Sequence, residues 1–264
     1  MKVEKCFGIE LKQEQFKQFN LSLTQYNAGE SIDYHQHKLP YLSLNVHGQY
    51  LEDDKKQLKN VCSGDLISRS INYSHRNKFT ANSNLCFNIE FSDPGLYDQI
   101  SSVFNDGFSL NFIDSRSTAY RLMHSFLKSG DDSVLNSLMR SFMDLNKINL
   151  DLSHEKYSWL KKLINYIQEH WDKNLTLAEL SDIACVSKNY MVRAFKAKIG
   201  ITIGEFQRRV RLNNMLPEIM NYEQSLTSTA YVSGYYDQSH MIKHFNTYLE
   251  CNPLELRTSI KRFI

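Results

Sequence analysis

The C-terminal third of the chain contains an internal repeat, and this feature constrains the fold more than any other. The segment TLAELSDIAC (residues 176–185) aligns with SLTSTAYVSG (residues 225–234) at an offset of 49 residues. After one extra residue in the second copy, M-x-R-x-F at 191–195 aligns with M-x-K-x-F at 241–245 at an offset of 50. A repeat of this kind indicates one supersecondary unit that occurs twice. The spacing of the apolar residues predicts a helix, a tight turn and a second helix in each copy.

Polar residues mark where these helices begin. Thr176 and Glu179 have the spacing of a capping box, which predicts the start of the first helix. Ser187 is placed to cap the second helix, and Asp237 or Ser239 can do the same in the second copy. A duplicated helical hairpin without special purpose is one interpretation of this pattern. The other is a tandem helix-turn-helix whose second helices enter adjacent major grooves of DNA.

The second copy resembles the signature of the AraC/XylS-type transcriptional regulators. The matching residues are Gly234, Tyr235, Asp237, Ser239, Phe245, Pro253 and Arg257. The first copy adds Leu180, Phe195, Gly200, Glu205, Phe206, Arg211 and Leu212, which are similar to the connecting segment of the family. The resemblance covers residues 158–260 and both copies. It implies a sequence-specific DNA-binding transcription regulator.

Several residues depart from the family pattern. Lys243 stands where the family has Arg, Glu250 where it usually has a helix-ending Gly, and Ile203 where it usually has Pro. Pro217 lies inside the helix expected to join the two units. A proline inside a helix costs roughly 3 kcal/mol and here removes the hydrogen bond to the carbonyl of Asn213. The sequence therefore predicts that the joining helix is kinked at Pro217 or ends early.

The two recognition helices are predicted at about Lys188 to Ile199 and about Gln238 to Leu249. Arg and Asn side chains match guanine and adenine edges, and Val or Ile matches a thymine methyl group. The predicted DNA-binding residues are Lys188, Asn189, Val192, Arg193, Lys196, Gln238, Ser239, His240, Ile242 and Lys243. Among the basic residues, Lys196, Lys198 and Arg208 are assigned to phosphate, which positions the protein without specifying sequence.

The N-terminal half contains short segments of β-forming residues separated by glycines, a pattern typical of a compact all-β sandwich or barrel. The spacing of its glycines and histidines resembles the cupin motifs over about residues 20–91, with Tyr41 where the family has a metal-binding Glu. Cupin-type effector domains are common in front of AraC-type DNA-binding domains. The resemblance therefore implies a domain that binds a small-molecule effector. Its candidate effector-binding residues are His35, His37, Tyr41 and His75.

The three histidines raise the question of a metal. Three imidazoles with one open coordination position could hold zinc, nickel or iron. Alternatively, they are polar residues at the mouth of the barrel, bonded to the backbone or touching an organic ligand. The loss of the carboxylate favours this alternative, so we expect no metal and no cofactor. A metal-dependent cupin enzyme would leave the tandem helix-turn-helix unexplained, so the chain is not expected to be an enzyme. A regulator whose barrel only dimerises remains a further alternative.

Apolar residues at helical spacing follow the β segments, at 119–127 and 135–145. Their faces can cover the barrel, pair two subunits, or do both. The polar stretch NLDLSHEK at 149–156 indicates a linker. We therefore expect an α+β fold with two domains. Residues 1–150 form a cupin-like β-barrel with a helical dimerisation segment, and residues 157–264 form an all-α domain with two helix-turn-helix units.

Charge and cysteine content agree with this organisation. Residues 157–264 carry 14 Lys and Arg against 10 Asp and Glu, whereas residues 1–156 carry 17 against 19. The five cysteines form no CxxC pair, and the sequence contains neither a membrane span nor a signal-peptide core, which indicates a reducing cytoplasm. The expected partners are double-stranded DNA, a second copy in a homodimer, a small-molecule effector of unknown identity and, as a further candidate, RNA polymerase. No membrane is expected.

Overall fold

The computed structural model of the chain describes residues 7–80, 83–93, 95–98, 110–128, 131–145 and 157–264, with the backbone alone at 110–113 and 143–145. The linker predicted at 149–156 lies outside the described residues. Contacts group the described residues into two compact units. The first unit falls within 1–107, 118–147 and 254–264, and the second falls within 108–117 and 148–253.

The first unit is built on antiparallel strands. They are β1 Ile9–Gln15, β2 Phe19–Tyr26, β3 Ser31–Gln36, β4 Tyr41–His47, β5 Tyr50–Asp53, β6 Leu58–Val61, β7 Leu66–Arg69, β8 Ser74–Phe79 and β9 Asn84–Phe91. One sheet has the order β1-β2-β9-β4-β7, and the other has the order β3-β8-β5-β6. In the five-stranded sheet, Leu21 of β2 pairs with Ile89 of β9, which in turn pairs with Leu42 of β4.

The described helices follow these strands. They are α1 Leu110–Lys128, α2 Asp132–Leu145, α3 Ser158–Glu169, α4 Leu177–Ala184, α5 Lys188–Ile199, α6 Ile203–Ile219, α7 Leu226–Val232, α8 Gln238–Leu249 and α9 Pro253–Lys261. The predicted α+β class, with a β-rich N-terminal half and a helical C-terminal half, is confirmed. The predicted barrel takes the form of two separate sheets among the described strands, because β6 and β7 end the ladders instead of closing them into one.

Side chains alternate between the two faces of the five-stranded sheet. One face is apolar and at most 1% exposed, and it consists of Leu21, Leu23, Leu42, Leu44, Phe87 and Ile89. Phe126 of α1 packs on this face, with its ring centroid 5.7 Å from that of Phe87. The predicted apolar stripes, where their side chains are described, are buried within the single chain: Ala119, Leu122, Met123, Phe126, Leu127, Leu135, Leu138, Met139 and Phe142. This burial supports the sheet-covering role of the stripes.

Helix starts in the second unit agree with two of the three capping predictions. Thr176 and Glu179 form the predicted capping box, with each side chain bonded to the other's backbone N–H. Asp237 caps α8 by accepting a hydrogen bond from the N–H of His240 at 2.7 Å. Ser187 takes the extended N-cap conformation before α5, but its side chain makes no capping bond. The Ser187 prediction is therefore wrong in this respect, because the residue is exposed and water can bind the same N–H groups.

Pro217 lies in the last turn of α6, which ends two residues later at Ile219. The structure therefore agrees with the predicted early end of the joining helix. The carbonyl of Asn213, which a proline at 217 cannot reach with an N–H, accepts a hydrogen bond from Nη1 of Arg116 at 3.3 Å. A side chain of α1 thus replaces the backbone donor that the proline removes.

Left-handed backbone positions occur at matching places in the two copies. Gly200 ends α5 with φ of 85°, and Glu250 ends α8 with φ of 56°. Cys185 and Gly234, which align in the repeat, also have positive φ, at 54° and 73°. A Cβ atom at Gly234 would lie 1.7 Å from the carbonyl oxygen of Asp172, whereas a Cβ atom at Gly200 would meet nothing within 4 Å.

Gly200 and Gly234 allow a matched test of the packing at the turn between α7 and α8, where Gly234 lies. Replacement of Gly200 by Ala should lower the free energy of unfolding by about 1 kcal/mol, because only the left-handed backbone is strained. Gly234→Ala should add about 1–3 kcal/mol to that loss, because the new methyl group overlaps the backbone at Asp172. Urea unfolding followed by tryptophan fluorescence reports on this unit, since both tryptophans, Trp159 and Trp171, lie in it. Equal losses for the two variants would contradict the close approach.

Candidate functional site

The two predicted recognition helices have the bounds expected from the sequence, at α5 and α8. Each helix buries one apolar face, formed by Met191, Phe195 and Ile199 in α5 and by Met241, Phe245 and Leu249 in α8. These residues correspond one to one at an offset of 50. Because equivalent positions are buried in both copies, equivalent positions also face outward.

The predicted DNA-binding residues lie on the outward faces. Seven of the ten are exposed, namely Lys188, Asn189, Arg193, Lys196, Ser239, His240 and Lys243, and the remaining three, Val192, Gln238 and Ile242, are half-buried. Arg193 donates from Nε to the carbonyl of Asn189 at 3.3 Å, one turn earlier in the helix. Thr227 donates to Oε1 of Gln238 at 2.6 Å, which fixes the amide and leaves its NH2 group as a donor.

Two of the residues assigned to phosphate have neighbours in the second unit. The Lys198 ammonium lies 4.3 Å from the ring centroid of Tyr157. Arg208 pairs with Oε2 of Glu205 at 2.7 Å. Each of the two side chains is therefore oriented by its neighbour. Lys196, which is exposed in the last turn of α5, is the third candidate for a phosphate contact.

Three exposed tyrosines were not among the predicted contact residues. Tyr190 in α5 is 49% exposed, Tyr231 in α7 is 79% exposed, and Tyr236 just before α8 is 89% exposed. A phenol can donate a hydrogen bond to a phosphate oxygen. The prediction missed them because aromatic residues at helical spacing are usually buried. Their positions in the repeat could have identified them, since none aligns with a core residue.

A polar cluster connects α8 to the joining helix α6. Tyr248 of α8 donates to Oε1 of Glu205 at 2.6 Å, and Arg209 donates from Nε to the same oxygen at 3.0 Å. Arg209 also pairs with Asp114 of α1 at 2.6 Å. Burial alone would raise the pKa of Glu205, but the donors Tyr248, Arg208 and Arg209 lower it to about 2. Glu205 is therefore a carboxylate that holds the end of the second recognition helix.

His244 supports α8 from behind. Its Nδ1 lies 2.8 Å from the hydroxyl of Tyr235, and its ring is 9% exposed. Burial lowers the pKa of His244 to about 4, and the charges of Arg208 and His240 act in the same direction. The folded protein therefore holds this imidazole neutral at pH 7. Arg211, whose guanidinium lies 5.5 Å from the Tyr235 ring, donates to the carbonyls of Trp171 and Lys173.

The neutral His244 predicts an acid sensitivity of the second unit. The pKa is depressed in the folded state, so the unfolded chain binds the proton more readily, and stability falls as pH drops from about 6.5 to about 4. His244→Gln keeps a partner for Tyr235 but cannot titrate, so its urea midpoint should fall less over this window. His240→Gln, on the exposed face of the same helix, is the comparison variant. It removes only a lesser contribution to the depressed pKa of His244, so it should keep most of the decrease. An identical decrease in all three proteins, followed by tryptophan fluorescence, would contradict this role of His244.

The first unit contains a cavity of about 540 Å³ between its two sheets. All four predicted effector-binding residues line it. The ring centroid of His35 lies 4.3 Å from that of His75 and 5.0 Å from that of His37, and the His37 and Tyr41 centroids lie 4.6 Å apart. The structure therefore brings together the residues that the spacing of the motifs placed in one site.

A buried ion pair at the cavity was not predicted. Arg69 of β7 and Glu52 of β5 are 2% and 1% exposed, and they form a salt bridge. Arg69 also lies over the ring of Tyr41, 5.2 Å from its centroid, and donates to the hydroxyl of Tyr50 at 2.9 Å. Burial, followed by the charge of Arg69, lowers the pKa of His75 to about 3. Because Arg69 and Glu52 are far apart in the sequence, no local sequence pattern predicts that they form an ion pair.

The three histidines form a set that could hold a metal ion. Their ring nitrogens, one from each residue, all lie within 4.8 Å of one another. Nδ1 of His35 lies 2.9 Å from the carbonyl of Asp33, an arrangement that leaves Nε2 as the metal-binding atom. Three imidazoles fit the ligand set of zinc or of a divalent transition metal. Tyr41 stands where a fourth, carboxylate ligand would be, and burial raises the pKa of its phenol, which makes it a weak ligand.

Comparisons with known proteins agree with the geometry of the second unit. A family model for a helix-turn-helix domain, HTH_18, matches residues 180–259. The chain is 26% identical to the probable transcriptional regulator LumQ of Photobacterium leiognathi, over 88% of this chain and 94% of LumQ. None of the described helices is both long and apolar enough to cross a membrane.

Solved structures show weaker likenesses. ToxT from Vibrio cholerae aligns with 92% of this chain and 99% of its own, at 13% identity and a TM-score of 0.38. A cupin domain from Bordetella pertussis aligns with 34% of this chain and 99% of its own, at 14% identity and a TM-score of 0.30. Both scores are too low to establish a common fold. The paired helix-turn-helix units, the domain match and the similarity to LumQ support a helix-turn-helix protein that binds DNA and regulates transcription.

Proposed function

We propose that α5 and α8 enter successive major grooves on one face of DNA and that both read bases. The observation that carries this proposal is the equivalence of the two helices, which bury the same face at an offset of 50 residues and present polar side chains on the other. Arg193 and Lys243 occupy matching outward positions. A guanidinium can bind guanine with two parallel hydrogen bonds, whereas an ammonium acts as a point charge.

The wider assignment rests on the resemblance to AraC/XylS-type regulators. We propose a cytoplasmic homodimer with an effector and dimerisation domain at 1–150 and a DNA-binding domain at 157–264, which contacts RNA polymerase if it activates transcription. The presence of two compact units supports separate effector-binding and DNA-binding domains. The bounds of the units differ from those of the proposed domains, because residues 108–117 group with the second unit and residues 254–264 group with the first. A barrel that only dimerises is the alternative, and unchanged DNA affinity with every small molecule would favour it.

The base-reading proposal predicts unequal effects for two matched substitutions. Arg193→Ala should weaken operator binding by about 1–3 kcal/mol and relax preference at one guanine, because a bidentate contact is lost. Lys243→Ala should weaken binding less, and its effect should lie about 10 base pairs away, in the next major groove. Fluorescence anisotropy with the full chain, on an operator selected from random duplexes and on its single-base variants, measures both effects.

Lys162→Ala is a suitable control, since this lysine is exposed on α3, outside both recognition helices. Its base preferences should match those of the wild type. The proposal fails if Arg193→Ala and Lys243→Ala disturb the same base pairs, or if Lys243→Ala changes nothing. Selection that enriches no sequence would contradict specific recognition altogether.

For the cavity of the first unit, we propose an organic effector and no catalytic metal. The support is Tyr41, a neutral phenol at the position where the cupin motif has a carboxylate ligand. The full chain should therefore contain less than one transition metal ion per molecule by elemental analysis after dialysis. About one ion per chain, lost in both His35→Ala and His75→Ala, would overturn this expectation and revive the metal-dependent enzyme.

A further inference from the structure

The inner face of the five-stranded sheet is polar where a packed sandwich would be apolar. Sheets that are buried on both faces usually have nearly continuous hydrophobic strands. Here Ser22 and Thr24 of β2, Ser43 of β4 and Asn88 of β9 line the 540 Å³ cavity, on the face opposite to the leucines. A buried polar group without a partner costs about 1–3 kcal/mol. This polar lining is therefore better suited to a bound ligand than to close apolar packing.

The four polar side chains form one hydrogen-bonded array. Ser43 donates to Oδ1 of Asn88 at 2.8 Å. Nδ2 of Asn88 lies 3.4 Å from both the Ser22 and the Thr24 hydroxyl oxygens, at the outer limit of a hydrogen bond. Asn88 is only half-buried, because it faces the cavity. Its amide can therefore exchange these long bonds for shorter ones to a bound molecule.

Another part of the lining is apolar. Ile32 of β3 and Phe79 of β8 are 5% and 3% exposed and belong to one hydrophobic cluster. The ring of Tyr26 stacks on Phe79, with centroids 4.2 Å apart and planes 10° apart. A ligand would thus meet hydrogen-bonding groups on one side and aromatic and aliphatic carbon on the other.

The buried charges that line or adjoin the cavity compensate each other. The Arg69 guanidinium pairs with Glu52, and the Glu52 carboxylate also accepts from Asn77 at 3.2 Å and from the Tyr73 hydroxyl at 3.3 Å. A charged ligand would have to lose its hydration without gaining an unpaired counter-charge from this pair. His75 is 2% exposed, and its Nδ1 has no partner in the part of the chain that the structure describes. The imidazole of His75 lines the cavity and adds a polar ring to its wall.

We propose that the cavity binds an uncharged organic molecule with several hydroxyl or amide groups. These groups bond to Asn88, Ser43 and His75, and an apolar face of the molecule packs on Ile32 and Phe79. The volume lies within the range of about 300–1,000 Å³ that is usual for small-molecule sites. Monosaccharides and nucleosides both have this chemistry. The inference deepens the proposed effector function of this unit and rests on it.

Retention of small molecules by the full chain tests the proposal. The protein is equilibrated with a small-molecule cell extract and passed through a desalting column, and the molecules released on denaturation are identified by mass spectrometry. Asn88→Leu removes the centre of the array at similar volume, and Asn60→Leu makes the same change at an exposed position of β6. The wild type and Asn60→Leu should retain the same uncharged, polyhydroxylated or amide-bearing molecule, and Asn88→Leu should retain at least about tenfold less. The mass distinguishes a sugar from a nucleoside.

Four results would overturn the proposal. They are retention of an anion, a cation or a fatty acid, retention of nothing above the Asn88→Leu background, equal retention by all variants, and loss in Asn60→Leu as well. Thermal unfolding of each variant shows whether it is folded, and Ser43→Ala, which deletes one hydroxyl, replaces Asn88→Leu if that variant unfolds. Operator binding by the same wild-type preparation is measured separately. Failure of the DNA-binding proposal is thereby distinguished from failure of this one.

Discussion

Burial of one apolar face on each recognition helix determines the orientation of the whole candidate DNA-binding surface. Phe195 in α5 and Phe245 in α8 are both fully buried, and each belongs to a face with a methionine before it and an aliphatic residue after it. A helix anchored in this way can present only the opposite face to solvent. Arg193 and Lys243, each two positions before its phenylalanine, are therefore exposed in the same sense. If these apolar faces were not buried, the outward faces of the two helices would not be fixed, and the proposed base contacts could not form.

The first unit has an apolar packing face and a polar cavity-lining face on the two sides of one sheet. Leu42 and Leu44 face the helices with no exposed surface, while Ser43 between them faces the cavity. A strand makes this separation possible because successive side chains point to opposite sides. The apolar face supplies the packing, so the side chains of the other face can be polar and line the cavity. The buried Arg69–Glu52 pair lies in this interior and adds no net charge to it.

Much of this arrangement could be predicted from the sequence, and the exceptions have physical causes. The bounds of α5 and α8 followed from local spacing, because apolar periodicity and a capping Asp237 act within one helix. The Arg69–Glu52 pair was not predicted, because it joins β7 of one sheet to β5 of the other, and no local sequence pattern predicts how two sheets pack. The arrangement of the strands as two sheets depends on strand pairing, which also joins residues that are distant in the sequence. The partner of the carbonyl at Asn213 could not be inferred, because Arg116 comes from a distant helix.

The central claim is that both helix-turn-helix units of one chain contact DNA, in successive major grooves. A hydroxyl-radical footprint of the full chain on a selected operator tests this claim most directly. The account predicts two protected segments for each bound chain, on the same face of the duplex and centred about 10 base pairs apart. A single protected segment for each chain, unchanged in extent by Lys243→Ala, would contradict it.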